Sequence, residues 1–414
     1  MTLGDGDFAH AVNVLCDELD MLLQTADAEL ARQFPGRRGG RQPVHTVYVA
    51  ADRHDERLVP MWGEQACALI DEHASLYSEL VNDDRVCALV RHKLAAEPVE
   101  DLRIDFEDGY GMRADDAEDA DAVRAATALA RSQAAGSAPP MCGIRVKSLE
   151  APTRRRAVRT LLRFLERLGG CGASLDGFVV TLPKVTSVDQ VEAMVMLCER
   201  AEQVLGIEPL RFELQIEMPQ AILGPDGTSL VARMVHVADG RCIGLHYGTY
   251  DYSAYCGIAA PYQAVDHPVA DYAKLVMQAA AAGTGVRLSD GSSNLMPVGD
   301  AAAVRRGWAE HLRLVRRSLE RGYYQGWDLH PHQLPTRFAA TFAFYRQDLV
   351  SAAARLRDYL TSRPTAILDE PATARALTDY LRRALDCGAS SGEELRELAG
   401  LDAQTLALLG CADR

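Results

Sequence analysis

Residues 214–223 read LQIEMPQAIL, and this stretch combines the end of an apolar strand with the start of a loop. The apolar run continues to Ile216, Glu217 follows it, and Pro219 comes two residues later. Because proline cannot donate a hydrogen bond to a neighbouring strand, Pro219 predicts the end of the strand. A carboxylate is therefore expected where a buried strand meets its loop, either as a solvated strand end or as part of a site built on strand ends.

From residue 45 onward, short apolar runs alternate with helical stretches. Strands are predicted at 45–51, 102–108, 142–148, 177–183, 212–218, 241–248, 293–299 and 326–331. Near-continuous apolar strands that alternate with helices predict a parallel sheet covered on both faces. Eight such units predict an α/β fold of the (β/α)8 TIM barrel type. A doubly wound open sheet is the alternative, but no glycine-rich nucleotide-binding fingerprint follows the first strand.

Three segments are predicted along the chain: an N-terminal helix and linker over 1–43, the barrel over 44–335, and a C-terminal helical extension over 336–414. Residues 7–33 have the 3.6-residue apolar period of an amphipathic helix. The extension has apolar faces that need a covering surface, formed by Phe338, Phe342, Phe344, Leu349 and Leu356. In a single chain these faces can lie on the outer helices of the barrel. We favour the alternative, in which they cross to a neighbouring subunit, and this predicts a homo-oligomer.

The amino-acid composition limits which classes of partner the protein is expected to bind. The 414 residues have a formal net charge of −14, which disfavours nucleic acid or an anionic membrane as a partner. Ten cysteines are scattered without a CxxC pair, as is typical of reduced thiols in the cytoplasm. Neither a secretory leader nor a run of 18 apolar residues is evident in the sequence, so we expect a cytoplasmic protein with no membrane partner.

Charged side chains follow most of the predicted strands, at the barrel end where active sites form. They are Glu107, Asp108, Glu217 and Asp251 among the acids, and Arg53, Arg145, Lys184 and His330 among the bases. Several carboxylates on one face repel each other unless a cation lies among them. Oxygen ligands suit Mg²⁺, with Mn²⁺ as a substitute, and arginines suit a substrate carboxylate. The pattern predicts a site for a small oxo-acid or acyl substrate whose carbonyl oxygen binds the metal.

Each of these residues also has a purely structural interpretation. The acids after the strands can cap loops or helix N-termini, and Arg145 can be the partner of a structural salt bridge. For Lys184 and His330 the sequence favours neither a packing role nor a role in the site. The arginines at 154–156, 159, 163 and 167 are expected on a solvated helix face rather than in a phosphate or CoA site.

The motifs, taken in order, resemble the citrate lyase beta subunit-like group of the HpcH/HpaI aldolase superfamily, which is related to the malyl-CoA lyases. The stretches that carry the resemblance are YVAADR (48–53), IDFEDGYG (104–111), IRVKS (144–148), LPKV (182–185), IEMPQAI (216–222), GTYD (248–251) and LHP (329–331). Two of them differ from the group's usual form, since IEM replaces IET and Lys147 replaces a common asparagine. The resemblance covers roughly residues 45–335.

This resemblance implies a (β/α)8 barrel in which Glu217 and Asp251 hold Mg²⁺, with Glu107 and Asp108 near the metal's waters. It implies that Arg145 binds the anionic or carbonyl end of the substrate, and it leaves Arg53 and Lys184 as further substrate contacts. It also implies oligomers, often trimers or hexamers.

The function that follows is a Mg²⁺-dependent carbon–carbon lyase or aldolase. It would act on an oxo-acid or acyl-CoA through a metal-stabilised enolate. His330, or a water polarised by Glu107 or Asp108, is the candidate base. A phosphoenolpyruvate-type phosphotransferase on a related barrel and a non-catalytic assembly subunit are the alternatives.

Overall fold

The eight strands of the chain form a closed barrel. The computed structural model describes residues 4–36, 39–361, 369–402 and 406. Every strand is parallel to its two neighbours, and the last pairs with the first to close the sheet. The strands are β1 (His45–Ala50), β2 (Asp101–Asp105), β3 (Met141–Arg145), β4 (Phe178–Leu182), β5 (Arg211–Ile216), β6 (Cys242–Tyr247), β7 (Arg287–Ser292) and β8 (Gln325–Asp328). The predicted (β/α)8 TIM barrel is therefore confirmed.

One predicted strand was placed wrongly. The strand expected at 293–299 lies at 287–292, where the sequence RLSDGS has almost no apolar character. Its burial depends on polar partners, because Asp290 accepts hydrogen bonds from Lys274 Nζ at 3.0 Å and Ser318 Oγ at 2.5 Å. Apolar periodicity cannot detect a strand of this kind.

Among the described residues there are fifteen helices, which pack around the barrel except for the first, which stays exposed along nearly its whole length. They are α1 (Asp5–Gln33), α2 (Leu58–Glu72), α3 (Ala74–Val81), α4 (Asp84–Ala96), α5 (Asp115–Ala134), α6 (Arg154–Gly170), α7 (Val188–Leu205), α8 (Pro219–Ile222), α9 (Leu230–Val237), α10 (Thr249–Tyr255), α11 (Pro268–Ala281), α12 (Ala301–Glu320), α13 (Leu334–Leu360), α14 (Pro371–Cys387) and α15 (Gly392–Ala399). The long connection between β1 and β2 consists of α2, α3 and α4, and β5 ends before Pro219, as predicted.

The C-terminal helices pack on the barrel of their own chain. On α13, Phe338, Phe342, Leu349 and Leu356 are each at most 1% exposed and belong to the main hydrophobic core. They therefore need no neighbouring subunit to cover them, which corrects the expectation that this face reaches another chain. Residues 362–368, 403–405 and 407–414 of the predicted extension lie outside the described residues.

The arginines of α6 follow the predicted solvated face with one exception. Arg159 and Arg163 are half exposed, but Arg156 is buried and binds the carboxylate of Asp119 on α5. Arg156 therefore joins two helices instead of facing solvent.

Two observations concern location. Within the described part of the chain, no helix combines the length and apolar character needed to cross a membrane. The nine described cysteines are all free thiols, and Cys411 lies outside the described residues.

Candidate metal and active site

Three carboxylates meet at the barrel end where the strands finish. Glu217 follows β5, Asp251 lies in the first turn of α10 after β6, and Asp108 lies in the loop after β2. One oxygen of each lies within 4.8 Å of the others. The loops that follow three different strands thus bring three acids from distant parts of the sequence to one point.

Glycines allow this close approach. A Cβ atom on Gly248 would lie 2.3 Å from Glu217 Cβ, so only glycine fits in the GTYD motif beside that carboxylate. A Cβ atom on Gly109 would lie 2.6 Å from Asp105 Oδ2, which accepts a hydrogen bond from the Gly109 N–H. Steric crowding therefore explains why glycine occupies both positions.

Lys184 lies in the middle of the acids. Its Nζ atom is 2.9 Å from Asp251 Oδ2, 3.0 Å from Asp108 Oδ2, 3.3 Å from Glu107 Oε1 and 3.7 Å from Glu217 Oε1. The Lys184 backbone N–H also donates to Glu217 Oε1 at 2.8 Å. Its φ of 51° lies in the left-handed region, where a residue with a side chain is strained, and such strain concentrates at functional sites. Lys184 supplies a positive charge that pairs with all four acids.

Burial and neighbouring charges together shift the pKa values of three of these acids in different directions. Burial raises the pKa of Glu217 well above its usual value, against the lowering effect of Lys184. Burial likewise raises the pKa of Glu107 to about 7, although Arg145 opposes it. For Asp108 burial acts in the same direction, but the charges of Lys184 and Arg145 outweigh it and the pKa is lowered. A pair of neighbouring acids with pKa values moved apart is a common arrangement for proton transfer.

Arg145 lies below this cluster inside the barrel. Its Nε and Nη2 atoms both donate to Asp105 at 2.7 Å, and Nη1 donates to Gln215 Oε1 at 3.1 Å. Nη1 is also 3.4 Å from Glu107 Oε2. Arg145 is 3% exposed. Its bidentate partner is the protein's own Asp105, and its Nη1 atom faces Glu107.

A second ionic layer fills the barrel interior. Arg103 binds both oxygens of Glu213, and His246 Nε2 is 2.7 Å from the same carboxylate. All three side chains are buried. They support the strands below the site and do not belong to the cluster of acids.

The remaining predicted residues lie apart from the acids. Arg53 is exposed after β1, and no described ion pair joins it to the cluster. His330 follows β8, on the opposite side of the barrel from β4, and the described contacts of its imidazole ring are with His332. Burial lowers the pKa of His330 to about 4, so it is neutral at pH 7. The structure therefore brings Glu107, Asp108, Lys184, Glu217 and Asp251 together, with Arg145 beneath them.

The donor set fits Mg²⁺. The three carboxylates offer only oxygen ligands and leave room for water or substrate, as Mg²⁺ prefers. Sequence reasoning assigned Asp108 to catalysis, whereas the structure places it with Glu217 and Asp251. The sequence shows Glu107 and Asp108 as an acidic pair after β2, but it does not show which of the two faces Glu217 and Asp251.

We expect Lys184→Met to bind Mn²⁺ about threefold or more tightly than wild type, because the ammonium and a metal ion compete for the same oxygens. The variant should also be less stable in chelator and recover stability when Mn²⁺ is added. Calorimetric titration and thermal unfolding measure the two effects. Arg53→Met is the control, since it removes an exposed cation at the same barrel end and should leave Mn²⁺ affinity unchanged. Weaker Mn²⁺ binding by Lys184→Met would contradict the competition.

Three solved structures that are similar to this chain cover between 76% and 91% of it. The malate synthase of Haloferax volcanii, in its native form at 3 mM glyoxylate, is 16% identical with a TM-score of 0.52, over 91% of this chain and 99% of that chain. The CitE protein of Mycobacterium tuberculosis, in complex with magnesium, acetoacetate and coenzyme A, is 16% identical with a TM-score of 0.47, over 83% and 98%. An HpcH/HpaI aldolase/citrate lyase family protein from Burkholderia cenocepacia is 17% identical with a TM-score of 0.42, over 76% and 96%.

Two of these structures are named for the group that the motifs resemble. The likeness to the malate synthase, at a TM-score of 0.52, is a likeness of fold. No curated protein sequence matches the chain. The sequence profile of one family, described as "Domain of unknown function (DUF6986)", matches residues 23–411, and the chain belongs to that family.

Proposed function

We propose that the chain is a Mg²⁺-dependent carbon–carbon lyase or aldolase acting on a small oxo-acid or an acyl-CoA. The observation that carries the proposal is the convergence of Asp108, Glu217 and Asp251, whose oxygens lie within 4.8 Å of one another at the end of the barrel where active sites form. An assembly subunit has no need of carboxylates gathered at the barrel end where active sites form. The likeness of fold to CitE and malate synthase is consistent with this class.

The residues of the chain would divide the work as follows. Asp108, Glu217 and Asp251 would hold Mg²⁺, which when bound would polarise a carbonyl oxygen and stabilise developing negative charge. Glu107 would accept the proton beside that carbonyl, since burial moves its pKa to about 7. Arg145, fixed by Asp105, would hold Glu107 in place through Nη1. This assignment favours Glu107 over His330 as the base, because His330 has no described contact with the cluster.

Exchange of carbon-bound protons with D₂O tests the reaction class even while the second substrate is unidentified. The full chain with Mg²⁺ is expected to exchange the methyl protons of pyruvate or of acetyl-CoA, followed by proton NMR. Glu107→Gln should lose exchange while it keeps Mn²⁺ binding, and chelator should abolish exchange. A protein that binds Mn²⁺ but exchanges neither compound would refute the proposed chemistry. If the protein instead transfers phosphate from added phosphoenolpyruvate, the phosphotransferase is favoured.

We also propose that the chain forms a homo-oligomer through α1, with a second copy of the same helix as the partner. Seven large apolar residues form one stripe on α1 and are 41–75% exposed: Phe8, Val12, Leu15, Leu19, Leu22, Leu23 and Leu30. The first five are spaced by four and three residues in alternation, the period of helices that pair along their length. A row of exposed apolar side chains of this length marks a surface that another protein chain covers.

The double variant Leu15→Glu with Leu19→Glu is expected to dissociate the oligomer, because two charges would lie in the seam of the paired helices. Multi-angle light scattering measures the mass. Val14→Glu with Met21→Glu is the matched control, since both residues are exposed on the opposite side of α1. A wild-type protein that is monomeric, or an equal effect of both variants, would contradict the role of the stripe. A trimer or hexamer would agree with the resemblance.

A cytoplasmic location is proposed with the same function. Free thiols persist under reducing conditions, and all nine described cysteines are free.

A further inference from the structure

A cavity lies at the opposite end of the barrel from the carboxylates. It has a volume of about 390 Å³ and lies where the strands begin, between the linker after α1, the turn that precedes β7, and α14. A strand of six residues is about 20 Å long, so this cavity is well separated from the cluster of acids. Its volume lies within the usual range for sites that bind small molecules.

The cavity is basic although the protein is acidic. Arg287, Arg382 and Arg383 all line it, and none of the described residues that line it is Asp or Glu. The chain as a whole has a formal net charge of −14. Three guanidinium groups on one concave surface create a local positive potential that attracts anions.

Arg383 contacts two neutral side chains. Its Nη1 atom donates to Gln42 Oε1 at 2.6 Å, and its guanidinium lies 4.2 Å from the centre of the Tyr324 ring. Its Nε atom is buried without a hydrogen-bond partner, and no ion pair joins it to a carboxylate among the described residues. Burial lowers the pKa of Arg383, and the nearby Asp386 carboxylate, which raises it, does not offset this loss of solvent.

The other two arginines are less buried. Arg382 Nη1 is 2.8 Å from Asp386 Oδ2, an ion pair that is about one-fifth to one-quarter exposed. Arg287 is half-buried at the start of β7. The turn before it contains Gly283 and Gly285, both with positive φ, so the backbone reaches the cavity without side chains that would fill it.

We propose that this cavity binds the phosphate group of a small molecule, with Arg383 as the principal contact and Arg287 and Arg382 at its sides. Arginine presents several N–H donors in a plane that matches phosphate oxygens, and an anion would supply the partner that Arg383 lacks. Free phosphate, a phosphorylated metabolite and a nucleotide share this chemistry. The site is independent of the carboxylate cluster and of the reaction proposed there.

Calorimetric titration of the full chain with inorganic phosphate, and separately with pyrophosphate, tests the site at constant ionic strength set with chloride. Wild type is expected to bind at least one of these anions at one site per chain and to gain thermal stability from it. Arg383→Gln should weaken that binding at least about tenfold. Arg163→Gln, which removes a half-exposed arginine on α6, should bind like wild type. If Arg383→Gln fails to fold, Arg382→Gln replaces it and should weaken binding about threefold.

The two sites are distinguished by a further variant. Glu217→Gln should bind phosphate like wild type, because the carboxylate cluster lies at the other end of the barrel. The proposal is overturned if wild type binds neither anion, or if Arg383→Gln and Arg163→Gln bind equally well. Binding that Glu217→Gln abolishes would place the anion at the carboxylate end and would also overturn it.

Discussion

Replacing Glu217 by Gln is expected to weaken Mn²⁺ binding at least about tenfold, a loss of about 1.4 kcal/mol or more. Glutamine keeps the size of the side chain and can still accept the hydrogen bond from the Lys184 backbone N–H, but it lacks the negative charge that attracts the metal. Glu217 is 1% exposed, so water cannot replace the lost ligand freely. Calorimetry with Mn²⁺ measures the affinity, and thermal unfolding in chelator shows whether the fold is retained.

Asp226→Asn provides the matched control for this experiment. Asp226 is an exposed acid in the chain segment that follows the same strand, and its carboxylate contacts are with Thr228. Its replacement removes the same charge and should leave Mn²⁺ affinity unchanged. Equal affinity in wild type and Glu217→Gln would show that Glu217 is not a ligand. If Asp251→Asn and Asp108→Asn weaken binding as well, all three carboxylates take part.

Arg145→Ala is expected to destabilise the protein by about 3–5 kcal/mol, the usual cost of breaking a buried ion pair. The substitution would leave Asp105 as a buried carboxylate without its bidentate partner. It would also remove the contacts of the guanidinium with the Tyr48 and Trp327 rings, whose centres lie 4.9 and 5.4 Å away. Denaturant unfolding, followed by circular dichroism, measures the free energy of unfolding.

Arg305→Ala is the comparison that isolates burial. Arg305 also binds a carboxylate with two nitrogens, that of Glu79, but this pair is half exposed. Its loss should cost at most about 1 kcal/mol. The double variant Arg145→Met with Asp105→Leu should recover part of the stability, since it leaves no unpaired charge. If Arg145→Ala is as stable as wild type but inactive, Arg145 contacts substrate in preference to supporting Glu107.

The sequence alone predicted much of the architecture and the main acids of the site. Apolar periodicity distinguishes strands from helices and is read from residues that are close in the sequence. For this reason seven of the eight strands were predicted correctly. The acids after the second, fifth and sixth strands could also be predicted to share one end, because parallel strands in a barrel all finish on the same side. Strand β7 was missed because its burial depends on Lys274 and Ser318, which lie on other elements.

Tertiary structure decided how these charges pair. Lys184 and the three carboxylates come from loops after four different strands, so no local pattern shows that the ammonium lies among the acids. The bidentate pair of Arg145 with Asp105 likewise depends on the pairing of β2 with β3, and the burial of the α13 face depends on the helices packed around it. Chain order alone determines which side chains follow each strand. Which of them meet, and at what distance, depends on strand register and helix packing, which only the assembled barrel determines.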